Sequence, residues 1–110
     1  MTPRRRLPNR RRSETIVFET GGNHFRVTVG YYDNRDTGEV FVNALRGNSA
    51  LDFLVADASI LVSLALQRGA TLHELRHALK HDNNGNPVSP IGAALDKLAE
   101  LSSDIPLVAL

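Results

Sequence analysis

Apolar and polar residues alternate over Glu14 to Thr20 and again over His24 to Tyr32, a period of two that predicts two β-strands rich in Val, Ile, Phe and Thr. Between them Gly21-Gly22-Asn23 offers residues that accept positive φ, so the strands should be joined as a tight hairpin. A third strand is expected over Glu39 to Leu45, after the loop Asp33 to Gly38. The three form an antiparallel meander with one face in need of cover.

Beyond Leu45 the pattern changes. Ser49 and Asp52 have the spacing of a helix N-terminal cap, and Gly69 stands where a left-handed C-terminal cap belongs. The segment between them is so rich in Leu, Val, Ile and Ala that it is expected to be a central core helix, buried on most sides. A second helix should open at Thr71, with Glu74 completing a capping box and Leu72, Leu75 and Leu79 as its apolar stripe. It should end near the turn cluster His81 to Pro87. Ser89 as cap and Pro90 as first helical residue open a third helix, with Ile91, Leu95 and Leu98 facing inward. The tail Ser102 to Leu110 is apolar enough to pack on the body or on a partner. The expected class is α+β: a three-stranded antiparallel sheet packed on a long buried helix, with two further helices.

At 110 residues the chain fits one domain, and 42% hydrophobic with 23% charged residues is ordinary for a globular protein. It has no cysteine, which excludes a disulfide scaffold, a thiolate metal cluster and a thiyl radical centre, and suits a cytoplasmic location. Asp52 and Asp57 interrupt the longest apolar run, Ala50 to Leu66, so no transmembrane segment is expected, and the N-terminus lacks the apolar core of a secretory signal.

Charge divides the chain. Six of its 13 basic residues, Arg4, Arg5, Arg6, Arg10, Arg11 and Arg12, lie in the first 12 positions, while all 12 acidic residues lie in the remainder. Pro3 and Pro8 disfavour helix there, so residues 1–12 read as a basic flexible arm and residues 13–110 as a single α+β domain. These arginines could bind phosphates of a nucleotide or nucleic acid, dock an acidic partner, or fold back on the acidic body. No aromatic residue is interleaved with them to stack bases.

Several side chains could carry chemistry. His73, His77 and His81 are spaced by four, so neighbouring imidazoles share a helix face and could chelate a divalent metal if Asp82 or His24 approached; otherwise they form a polar outer face. No metal site is assigned, and His73 and His77 are the weak candidates. Asp57 sits one turn from Phe53, Leu54, Ile60 and Leu61 and must reach water or a partner, either structurally through Arg46 or Arg68 or as an anchor at a ligand or subunit interface. On the opposite side Asp52, Ala56, Ser59, Ser63 and Gln67 form a line of small and polar groups, suited to a close seam with another subunit, to a nucleotide-facing groove, or to packing on the second helix. The turn Gly47-Asn48-Ser49 could present backbone amides to an anion or be plain turn geometry. Ser59 and Ser63 lack a nucleophile elbow, and no catalytic residue is assigned.

Taken in order, the basic LPNRR entry at Leu7 to Arg11, the Gly21-Gly22 hairpin, the strand opened by Glu39, the Gly47 turn, the helix end SLALQRG and the later SPIGAALDKL resemble a TSCPD-type domain. Such domains occur near the C-terminal end of adenosylcobalamin-dependent ribonucleotide reductases and as short free-standing proteins. The resemblance covers about Arg5 to Leu98 and implies a reductase accessory protein, without catalytic activity of its own, that binds a reductase subunit or a nucleotide. The cysteines for which the family is named are absent here. Cobalamin is implied only for the related reductase, and no cofactor is expected on this chain. The alternative function is a stand-alone nucleic-acid or nucleotide-binding module that uses the arginine arm. Exposed sheet edges and the apolar tail suit a homodimer, with a monomer as the alternative.

Overall fold

A computed structural model describes residues 2–46 and 49–104, the side chains of 102–104 excepted. Its elements run β1 (Ser13–Thr20), β2 (Asn23–Tyr31), β3 (Thr37–Ala44), α1 (Ala50–Gln67), α2 (Leu72–Ala78) and α3 (Pro90–Asp104). The sheet is the expected antiparallel meander, ordered β1-β2-β3. Gly21 and Gly22 both have positive φ (57° and 80°), which suits the two-residue hairpin pairing Thr20 with Asn23.

Alternation decides the sheet's inner face. Phe18, Phe25, Val27, Val29, Val40 and Val42 point to one side and are buried, together with Val55, Val62 and Leu66 of α1 and Ala94, Leu95 and Leu98 of α3. Each fully buried large side chain contributes about 1.5–3 kcal/mol, so this cluster is the main source of stability. Phe18 and Phe25 stack across β1 and β2 with centroids 5.5 Å apart.

Helix signals in the sequence reappear as bonds. Ser49 Oγ accepts from the Asp52 amide, Thr71 and Glu74 form a reciprocal capping box, and Ser89 Oγ accepts from the Gly92 amide at 3.1 Å. The second helix stops at Ala78, and His81 forms an isolated bridge to Pro87 around the turn.

One expectation needs correcting. Although α1 packs on the sheet, it is not buried on most sides: Phe53, Leu54, Ile60 and Leu61 are 59%, 68%, 50% and 68% exposed. The physical reason lies in where α1 sits. As an edge strand, β3 has one row of backbone groups without a strand partner, and α1 runs along that row with its polar line inward. Asp52 Oδ1 accepts from the Ala44 amide (2.9 Å), Ser63 Oγ bonds Val40, and Gln67 Nε2 donates to the Gly38 carbonyl (2.9 Å). Thus the line Asp52, Ala56, Ser59, Ser63, Gln67 faces β3 rather than α2, and the apolar residues opposite it face outward. The apolar tail lies outside the described residues beyond Asp104.

Candidate functional site

Thr2 to Arg12 lies against the body, held by both backbone and guanidinium contacts. The Arg5 amide donates to the Gln67 carbonyl at 2.6 Å, Tyr32 Oη donates to the Arg5 carbonyl at 2.7 Å, and Arg68 donates to the Thr2 carbonyl. Arg4 bonds the Gln67 side chain, Arg5 pairs with Asp36 at 3.2 Å, and Arg11 grips Glu39 through two nitrogens. Glu39 is nearly buried, and its hydrogen bond raises the Arg11 guanidinium above its ordinary pKa. Gly38 permits the close approach: a β-carbon there would fall 2.5 Å from Leu7 Cδ2 and 2.8 Å from Tyr32 Cε2. Arg12 approaches Glu14 at 3.9 Å. Of the six arm arginines, Arg4, Arg6 and Arg10 have no ion pair among the described residues.

The clamped arm forms one wall of a cleft of about 610 Å³. Its other walls are the β2–β3 loop with Tyr32 and Arg35, the α1–α2 turn, and α2 with His73 and Arg76; Leu66 and Leu72 supply apolar surface. Arg5 lies 3.6 Å over the Tyr32 ring, a cation–π contact that fixes it at the rim. Arg76 is steadied by Asp96 of α3 at 3.0 Å. Arg35 has no ion pair among the described residues and is held at φ 72°, a left-handed conformation costly for a side-chain-bearing residue. Nothing local in the sequence marks Arg35, Arg76 or Tyr32 as site residues. The only signal was charge in the loop Asp33 to Gly38, and their convergence depends on tertiary packing.

The second feature is the outer face of α1. Phe53 and Leu54 on one side, and Ile60 and Leu61 on the other, flank Asp57. Asp57 is exposed, and among the described residues neither Arg46 nor Arg68 pairs with it. By length and composition alone, α1 could also cross a membrane.

Ser59 is buried and donates to the Ala56 carbonyl at 2.7 Å, and Ser63 is buried against β3. Gly47 and Asn48 lie outside the described residues, while Ser49 caps α1. His73 and His77 stack with ring centroids 6.2 Å apart, and with His81 and Arg76 they line a hollow of about 160 Å³. Neither expected third ligand joins them: His24 meets Glu19 on the hairpin at 3.3 Å, and Asp82 Oδ1 accepts from the Asn84 and Asn86 amides. Among the described residues no group of three metal-ligating side chains converges. The Asn86 amide first, and the Asn84 amide second, hold Asp82 below the ordinary carboxylate value of 3.8.

These features define a small α+β domain with a clamped basic arm and an uncovered apolar helix face. The TSCPD domain family profile matches residues 1–101, and the chain belongs to the TSCPD domain family. It is 34% identical over 74 residues to a vitamin B12-dependent ribonucleotide reductase of Bradyrhizobium diazoefficiens, covering 67% of this chain and 6% of the reductase. It is 31% identical over 71 residues to the reductase of the same name from Agrobacterium fabrum, covering 64% of this chain and 6% of that protein. This chain therefore corresponds to a small part of each relative's length. No solved structure matches it.

Proposed function

We propose that this chain is a cytoplasmic, non-catalytic accessory protein that binds the catalytic chain of a vitamin B12-dependent ribonucleotide reductase in trans, through the outer face of α1. The observation that supports it is the row Phe53, Leu54, Ile60 and Leu61, half or more exposed on a helix whose polar side is already committed to β3. A cluster of large exposed apolar side chains on one helix face marks an interaction surface. In the relatives the matching segment is 6% of a much longer chain named a ribonucleotide reductase, so a domain of this kind occurs alongside the rest of such a reductase.

Asp57 narrows the occupant. It sits midway along the apolar row, so a two-fold axis centred there would set two carboxylates against each other, which disfavours self-pairing on this face. A carboxylate in the middle of the row also disfavours burial in a bilayer. The face suits a protein partner that brings apolar side chains around a central Arg or Lys. With no cysteine in the chain, thiol chemistry would come from that partner, and so would the cobalamin.

The test is sedimentation of the purified chain mixed with the purified reductase catalytic chain of the same source. Because the contact is mainly apolar, a complex should form and persist at moderate salt. Absence of a complex, self-association of the chain in place of it, or flotation with lipid vesicles would each contradict the reading.

A further inference from the structure

The cleft between the arm and the α1–α2 turn has features that the docking of α1 does not use. We propose that it is a binding site for a phosphate-bearing small molecule of nucleotide size, with the phosphates on Arg35, Arg5 and Arg76 and the rest of the ligand over Leu66 and Leu72. The inference rests on the cleft alone and stands whether or not α1 meets a reductase.

Its volume, about 610 Å³, falls within the range of about 300–1,000 Å³ common for small-molecule sites. Three guanidinium groups line it from three separate segments: Arg5 from the arm, Arg35 from the β2–β3 loop and Arg76 from α2, with the His73 imidazole beside them. Among the described residues Asp36 is the only carboxylate in the lining, and it is engaged with Arg5. Guanidinium groups bind phosphate oxygens through paired, charge-assisted hydrogen bonds, and a cleft lined by one sign of charge concentrates anions.

The three arginines differ in readiness. Arg5 is fixed on Tyr32 and Arg76 on Asp96, which orders them without burying them. The exposed Arg5–Asp36 pair is of the kind that contributes little, so a phosphate can displace Asp36 at small cost. Arg35 is different: it has no ion pair among the described residues, and its backbone holds a left-handed conformation that glycine would adopt more easily. Retaining an arginine there costs stability, which a role in binding explains.

That difference supplies the experiment. Isothermal titration with ADP, adenosine and pyrophosphate should show ADP binding more tightly than either fragment. ADP affinity should fall as salt rises. Arg35→Glu and Arg35→Gly should each weaken ADP binding by at least about tenfold, the loss of one charge-assisted contact. Arg35→Gly should at the same time unfold at a temperature no lower than the parent, because it relieves the backbone. The proposal is overturned if ADP does not bind, if adenosine or pyrophosphate binds as tightly, or if both Arg35 variants retain parental affinity. Binding of a single-stranded DNA oligonucleotide in place of ADP would overturn it too, since that would assign the charge to the arm and not to the cleft.

Discussion

Ser63 Oγ accepts a hydrogen bond from the Val40 amide and donates one to the Val40 carbonyl, each at 2.9 Å, so a single hydroxyl satisfies both backbone groups of one edge-strand residue. Removing it by Ser63→Ala leaves a buried N–H and a buried C=O without partners, which costs about 1–3 kcal/mol for each group left unsatisfied. Ser59 offers the contrast, because among the described residues its hydroxyl bonds only the Ala56 carbonyl within its own helix. Ser59→Ala should change stability by less than about 1 kcal/mol. Urea denaturation of the two variants checks this, and equal effects would contradict the edge-fastening role of Ser63.

Gly38 lets the arm close on the body. The added methyl of Gly38→Ala would press on Leu7 and Tyr32, and overpacking of this kind costs about 1–3 kcal/mol. Since Tyr32 also holds the Arg5 carbonyl, the variant should release the arm first. Limited trypsin digestion should cut after Arg4, Arg5 or Arg6 faster than in the parent, while the circular dichroism of the body stays unchanged. An unaltered cleavage rate would show that Gly38 does not control the arm.

Asp82 should report on the turn after α2. Its carboxyl is held below 3.8 by the Asn86 and Asn84 amides, so the ionised form is favoured by the fold. The stabilisation is present above the ordinary carboxylate value and is lost as pH falls through the lowered one. In NMR titration the Asn84 and Asn86 amide signals should hold steady from neutral pH to about 4 and move together below 3.8. A midpoint above 3.8 would contradict the bonding seen around Asp82.

Much of this fold could be read from residues with local consequences. The Gly21-Gly22 turn, the Ser49, Thr71 and Ser89 caps and the alternation along β1 and β2 each act over a few positions, and each appears in the structure. What escaped the sequence depends on partners far along the chain. The composition of α1 suggests burial on most sides, yet Ser63 and Gln67 bind β3 more than 20 residues away and thereby turn Phe53 and Leu61 outward. The cleft was illegible for the same reason: Arg5, Arg35 and Arg76 are separated by tens of residues, and Arg35's left-handed backbone has no signature in its residue type. In the sequence Asp57 stands out as a carboxylate on an apolar surface, but only the fold shows that surface to be exposed.

The docking claim is tested most directly by the affinity of this chain for the reductase catalytic chain, measured for the parent and for the double variant Leu54→Asp, Leu61→Asp. Both positions are 68% exposed, so the substitutions should leave the core and the unfolding temperature unchanged. Paired hot spots at an interface each contribute about 2 kcal/mol or more, and the dissociation constant should rise at least about a hundredfold. A double variant that folds and binds as tightly as the parent would show that the outer face of α1 is not where the reductase meets this protein.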